Sequence, residues 1–458
     1  MVTPGTNVRT RSWIVVGLAL VAAFAFQTEA QAQAQFASAD DDARAVTFSG
    51  EVASLIYENC TVCHREGGIG PMELASYEDV RRYAQRIRYQ VGNSLMPPYA
   101  YDTNVGIQDL KEDWRLTPDQ IQTIVDWVDQ GAPLGNAAEV PALPNMPDPS
   151  DWSMATQFGP PDLIVRSTPI DVPADGNDMW HRPVVPTGLT QDRCIKAVQV
   201  KPAVGSATVV HHAIANLQVA QDDGTVERQQ RATEYAMGKL GEIMPENVCR
   251  IVSADSEVVW DIHLFPGGLG ATRPGDVLEN NTVELGIWLQ PEGYEYEYKQ
   301  DLGLYGFEEG QTEMLIAPNS KVMTQGYNVF DHPVRLDSWQ PHGHLRLRAA
   351  SVEVFYPATG RTETISMISN WSATWHQSHI YADDVAPLIP AGAVIIQKNW
   401  YDNTAENPNN PDPDQWVNYG SRTADEMGHG WFAVTHLDEE GYQRLVAERE
   451  ANQRPISD

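Results

Sequence analysis

The chain has 458 residues and carries 31 Lys+Arg against 62 Asp+Glu, a formal net charge of −31. That length accommodates two or three domains, each with its own core. So acidic a surface repels nucleic acid and anionic lipid, which excludes both as expected partners and leaves a solvated acidic shell or a cationic redox partner.

Residues 1–34 have the pattern of a secretory signal. Arg9 and Arg11 form a basic start, Trp13 to Phe26 is apolar, and Ala30-Gln31-Ala32 and Ala32-Gln33-Ala34 offer small-residue cleavage sites. The alternative is an uncleaved anchor, for which the apolar stretch is short. No other stretch approaches spanning length, so no stable membrane insertion is expected. The mature protein is expected in a bacterial periplasm or secreted.

Residues 46–135 predict a small all-α domain. Thr117-Pro118-Asp119-Gln120 is a capping box with proline at the first helical position, and Ile121, Ile124, Val125 and Val128 follow at helical spacing until Gly131. Near its start stands Cys60-Thr61-Val62-Cys63-His64, a C-x-x-C-H. Two thiols one helical turn apart beside an imidazole are what covalent attachment of a c-type haem requires. A zinc knuckle would need a second Cys/His pair, and none lies between His64 and His181. The distal iron ligand is expected to be a thioether, from Met96 in Ser94-Leu95-Met96-Pro97-Pro98-Tyr99 or from Met72. The segment resembles the small cytochrome c domains appended to many secreted bacterial oxidoreductases, a resemblance in which the Met-Pro-Pro-aromatic stretch supplies that ligand and so favours Met96.

Residues 136–161 are a Pro-rich linker. Beyond it, β-branched and aromatic runs such as Thr282–Leu289 and Ser351–Tyr356 alternate with Pro and Gly punctuation. They predict two all-β antiparallel sandwich domains of jelly-roll type, at 162–315 and 316–440, before a tail at 441–458 entered by a short helix from Glu439 to Glu448. Of four cysteines, Cys194 and Cys249 are not claimed by the C-x-x-C-H; they form one disulfide or remain two buried thiols.

The β region carries a second set of metal-ligand residues. His342-Gly343-His344 places two imidazoles on one face of a strand. His211-His212 can reach one metal only if the strand is kinked, because neighbours on a regular strand face opposite ways. His263 stands alone at a strand end, and Met427 lies among acids and glycines, a poor place for core filler, with His429 as a competing ligand. A thioether favours Cu(I). These read as two copper sites, one of three imidazoles and one of two imidazoles with a thioether. His376 and His379 have ligand-like spacing but read as part of an aromatic-rich loop, or as lining of a substrate cleft.

The order His-His, lone His, His-x-His, Met resembles that of the copper type II, ascorbate-dependent monooxygenases, the family of peptidylglycine α-hydroxylating and dopamine β-monooxygenases. The resemblance covers roughly residues 160–435, including Tyr401-Asp402-Asn403-Thr404-Ala405-Glu406-Asn407-Pro408. It implies that His211, His212 and His263 hold an electron-transfer copper, and that His342, His344 and Met427 hold the catalytic copper that binds O₂. The expected function is then C–H hydroxylation of a small organic substrate, with two copper ions and one haem c. Electrons would come from a periplasmic redox protein, a quinol-linked chain or an ascorbate-like reductant. The chain departs from the animal members in having one candidate disulfide and an attached haem segment. The alternative expectation is a non-catalytic copper-binding or electron-transfer protein.

Overall fold

The computed structural model describes residues 45–452 apart from 69, 147, 149–150, 176–177, 222, 224, 237–238, 240, 265–274 and 306–313. The expected signal at 1–34 and the last residues of the tail, 453–458, lie outside the described residues.

Four helices come first: α1 (Ala53–Asn59), α2 (Tyr77–Arg82), α3 (Ala84–Gly92) and, after a short strand β1 (Leu110–Lys111), α4 (Pro118–Asp129). The Thr117 hydroxyl accepts from the Gln120 amide while the Gln120 side chain accepts from the Thr117 amide, the reciprocal cap that starts α4. Phe48, Val52, Ile56, Val80, Ile124 and Trp127 close a core among these helices. The intervening segment leaves that core. Tyr99 and Tyr101 are buried in the core of the C-terminal β half, and β1 pairs antiparallel there, with Leu110 opposite Tyr381.

The N-terminal β half contributes β2 (Arg193–Pro202), β3 (Val210–Ala220), β4 (Val226–Ala236), β5 (Val248–Val252), β6 (Ser256–Leu264), β7 (Val283–Leu289) and β8 (Tyr298–Tyr305). The C-terminal half contributes β9 (Lys321–Val329), β10 (Val334–Gly343), β11 (Leu347–Tyr356), β12 (Arg361–Ile368), β13 (His379–Tyr381), β14 (Val394–Asp402) and β15 (Gly428–His436), then helix α5 (Glu439–Ala451).

An 11-stranded sheet runs through both halves in the order β1, β13, β10, β15, β8, β5, β2, β7 and an edge strand at Leu163–Arg166. Its join is β8, which pairs parallel with β5 and antiparallel with β15. A five-stranded sheet built on β6, β3 and β4 covers one end, burying Ala213, Leu217 and Trp260 against Ile195, Val198 and Leu285. A four-stranded sheet of β9, β14, β11 and β12 covers the other, burying Val352, Val354 and Ile395 against Leu336, Trp339 and Phe432.

This corrects the expected fold class. The helices are not a discrete all-α module: the chain between α3 and α4 is part of the β core, and α5 lies at the far end of the sequence. Nor are there two separable sandwiches, because one sheet supplies a layer to both halves. The physical reason is the non-local pairing of β8 with β15, which no local pattern announces.

Cys194 and Cys249 form a disulfide with Cα atoms 5.2 Å apart, tying β2 to its neighbour β5. Beside it a buried polar network crosses the join. Arg250 on β5 donates to Glu242 at 2.8 Å, to the Ala232 carbonyl at 2.8 Å and to Gln300 on β8 at 2.7 Å. Gln300 donates in turn to Asp337 on β10, which also accepts from Thr435 on β15.

Candidate metal centre

The adjacent pair His211-His212 sits at the start of β3, where the strand is irregular. His212 pairs with His263 on β6, but the next pair is Val210 with Leu264, so His211 is the extra residue of a bulge. The bulge undoes the alternation that would send the two rings to opposite faces. The Nδ1 atoms of His211 and His212 lie 3.1 Å apart, and one ligand atom from each of His211, His212 and His263 falls within 4.8 Å of the other two. Trp180 stacks flat on the His263 ring at 4.7 Å, and the Asp178 carboxylate lies 3.4 Å from its Nε2.

The second histidine group comes from the other β half. His342 ends β10 directly opposite His429 on β15, and their rings stack at 4.6 Å. His344 follows just past the strand; its Nδ1 lies 3.2 Å from the Asp425 carbonyl oxygen. The loop before β15 is fixed by Glu426, whose buried carboxyl accepts from the amides of His344, Arg346 and Met427. Met427 itself is half-buried, with its carbonyl accepting from the Tyr401 hydroxyl at 3.1 Å.

The two groups meet. The His212 ring lies 6.4 Å from that of His342, and His376 fills the angle between them, at 5.9 Å from His212 and 4.9 Å from His342. Seven imidazoles therefore form one continuous cluster: His211, His212, His263, His342, His344, His376 and His429. Burial holds every one of them below the ordinary histidine range, His263 at about 4 and His376 at about 3. For His263, the neighbouring His211 adds to burial while Asp178 opposes it. All seven are neutral near pH 7, the state in which imidazole binds a metal.

Sequence reasoning noted ligand-like spacing for His376 but read it as loop or cleft lining, and gave His429 only the role of a competitor. Their local signals, the spacing of His376 from His379 and the closeness of His429 to Met427, do not name their partners; strand register brings His429 opposite His342, and a loop return brings His376 between the halves. His379 goes elsewhere, packing on Tyr99 and Tyr101. His332 and His436 form a separate surface pair 2.8 Å apart, and His181 bonds the Thr168 carbonyl.

At the end of α1, Cys60 and Cys63 are free, half-buried thiols, and burial pushes the Cys60 thiol up to about 12. His64 Nδ1 sits 3.0 Å from the Met72 carbonyl, and the loop at Gly70 packs on its ring so closely that a Cβ there would fall 2.6 Å from Nδ1. Met72 packs on the helical core, whereas Met96 lines a cavity with Trp371 and Trp375 of the C-terminal half. The expected haem c on Cys60, Cys63, His64 and Met96 is accordingly corrected, since no discrete cytochrome module holds these residues. The expected pair of copper sites is corrected too. His211, His212 and His263 on one side and His342, His344 and Met427 on the other are not two separate centres: the imidazoles are contiguous, and the metal-type grouping among the described residues is the three-histidine set.

No family model matches the chain, and no curated protein matches it. Among solved structures, it is similar to the infectious bursal disease virus VP2 subviral particle, at 7% identity and a TM-score of 0.17 over 62% of this chain and 75% of that one. It is also similar to pumpkin seed globulin, at 8% identity and a TM-score of 0.13 over 60% of this chain and 85% of that one. Likenesses this slight carry no functional inference. The cytochrome and two-copper arrangement expected from the copper monooxygenase resemblance is not reproduced by the fold or by the single cluster among the described residues.

Proposed function

We propose that the chain is a metal-binding protein that takes one late first-row transition ion, copper or zinc, on His211, His212 and His263. The observation that carries this reading is the β3 bulge, which brings three neutral imidazoles to one point. Imidazole sets of this kind suit copper and zinc, with copper the tighter of the two by the general affinity order of divalent ions. Asp178 beside His263 is placed to fix the orientation of that ring, as carboxylates around metal-bound histidines do.

Three protein ligands leave a further position for a small molecule, the arrangement of reactive rather than purely structural sites. The reading therefore includes metal-dependent chemistry on a small molecule as the role of the ion. An exported, oxidising setting belongs to the same reading and is supported by the Cys194–Cys249 disulfide.

The test is titration of chelator-treated protein with Cu(II) and with Zn(II), following heat and bound metal per chain. One ion per chain is expected, with affinity falling roughly 10- to 100-fold or more in His263→Ala and His212→Ala. His332→Ala, in the separate pair with His436 at the opposite end of the β10–β15 pairing from His342 and His429, should bind as the parent does. Loss-free binding in both cluster variants would overturn the assignment.

A further inference from the structure

We propose that the cavity between the loop Met96–Ala100 and the loop Asn370–His379 is a binding site for a small neutral molecule with one aromatic ring and a hydroxyl group, a phenol in chemical class. The inference is independent of the metal reading.

The cavity measures about 220 Å³. Its apolar wall is made by Trp371, Trp375, Ile368, Leu95 and Met96, and no Asp, Glu, Lys or Arg among the described residues lines it. Engineered apolar cavities of about 150 Å³ admit benzene, so this one has room for a single substituted ring. A charged ligand would meet no counter-charge in the lining itself, and burying an unpaired charge is costly.

The polar side of the cavity selects the substituent. Tyr99, Gln377 and His379 line it and are 8%, 6% and 1% exposed. Each has a buried polar atom without a hydrogen-bond partner: Tyr99 Oη, Gln377 Nε2 and His379 Nδ1. Buried polar atoms are as a rule satisfied, so three together at one cavity point to a ligand that satisfies them. Gln377 Nε2 can only donate, whereas the neutral imidazole and the tyrosine oxygen can each accept. The group that fits must accept one hydrogen bond and donate another, which a hydroxyl does and a carboxylate or ether does not. The Tyr99 and His379 rings are 4.9 Å apart and edge-to-face, so the two residues sit side by side in the wall of the cavity.

The cavity also shares a wall with the histidine cluster. The Trp371 ring lies 5.5 Å from that of His376, and its indole N–H points at the His344 carbonyl at 3.4 Å. A ligand held on Trp371 is thus one side chain from the imidazoles.

The experiment titrates the full chain with phenol, benzene and benzoate, read by tryptophan fluorescence and by calorimetry. Saturable phenol binding is expected, about tenfold tighter than benzene because of the hydroxyl hydrogen bonds, with no binding of benzoate. Gln377→Leu should reduce phenol to the affinity of benzene. Ser372→Trp, which fills the cavity from its rim, should abolish both while leaving the thermal melt of the protein in place. Equal affinity for phenol and benzene would overturn the assignment, since the polar corner would then be satisfied by water. Phenol binding that persists in Ser372→Trp, or no saturable phenol binding in the parent, would overturn it as well.

Discussion

Replacing Arg250 by methionine tests whether the two β halves are held together by their buried polar join. Arg250 is fully buried, and methionine keeps most of its stem volume, so the change removes charge and hydrogen bonds rather than packing. Three groups lose their donor: Glu242, the Ala232 carbonyl and Gln300. Glu242 keeps Lys239 at 2.8 Å and Thr233 at 2.6 Å but loses its guanidinium. Breaking a buried pair from one side costs about 3–5 kcal/mol, because the other charge stays buried. Arg250→Met should therefore lower the free energy of urea unfolding by about 4 kcal/mol. The double variant Arg250→Met/Glu242→Gln should recover little of that loss, since the buried Lys239 paired to Glu242 would then be the stranded charge. A single-variant loss below about 1 kcal/mol would refute the reasoning, because exposed and solvated pairs behave that way. The pH dependence has a definite sign. Burial alone would raise the Glu242 carboxyl, but Arg250 and Lys239 outweigh it and hold the group well below the carboxylate range. Its contribution is thus present above the unfolded-state value of about 4.3 and is lost as pH falls below it, so the acid limb of stability should flatten in Glu242→Gln.

Three further outcomes are expected. Cys194→Ala/Cys249→Ala should lower stability by about 2–5 kcal/mol in denaturant titration, and reductant should no longer affect the variant. Burial pushes the Glu426 carboxyl up to about 7 against its three amide donors, so its contribution to folding falls as pH rises from the unfolded-state range through 7. The stability difference between the parent and Glu426→Gln should accordingly shrink or reverse between pH 5 and about pH 8, measured by urea midpoints; a constant difference would count against a protonated Glu426. Zinc at about 100 times the parent's dissociation constant should raise unfolding stability by about 2.7 kcal/mol in the parent and by no more than about 1.4 kcal/mol in His263→Ala.

Local caps, a short helix and the cysteine pairing were readable in the sequence; the haem read from the C-x-x-C-H and the long-range register were not. The cap at Thr117 and Gln120, the helix from Glu439 and the Cys194–Cys249 bond depend on residue types at short spacing or on a small set of cysteines, and all are present. The His211-His212 pair announced that a kink would be needed, but whether β3 bulges is decided by its pairing with β6. His429 and His376 enter the cluster only through the β10–β15 pairing and a loop return. The same non-locality defeated the expected division into a helical module and two sandwiches. Tyr99 and Tyr101 follow a helix in sequence and yet lie in the C-terminal β core, and β8 completes a sheet whose other strands come from both halves. A motif-by-motif reading treats neighbours in sequence as neighbours in space, and so separated histidines that the sheets bring together.

Strand β8 has a consequence for anyone dividing this chain. It carries partners from both halves on its two sides, β5 on one and β15 on the other. A fragment ending before Tyr298 would leave β5 with a bare hydrogen-bonding edge, and the complementary fragment would begin with β8 bare on its opposite side. Open edges of that kind invite pairing with other copies. Neither piece alone should be a well-behaved expression target, but the two edges are complementary. Co-produced fragments cut within 290–297 should find each other through β5 and β8, which makes that stretch the natural break for a split-protein reporter.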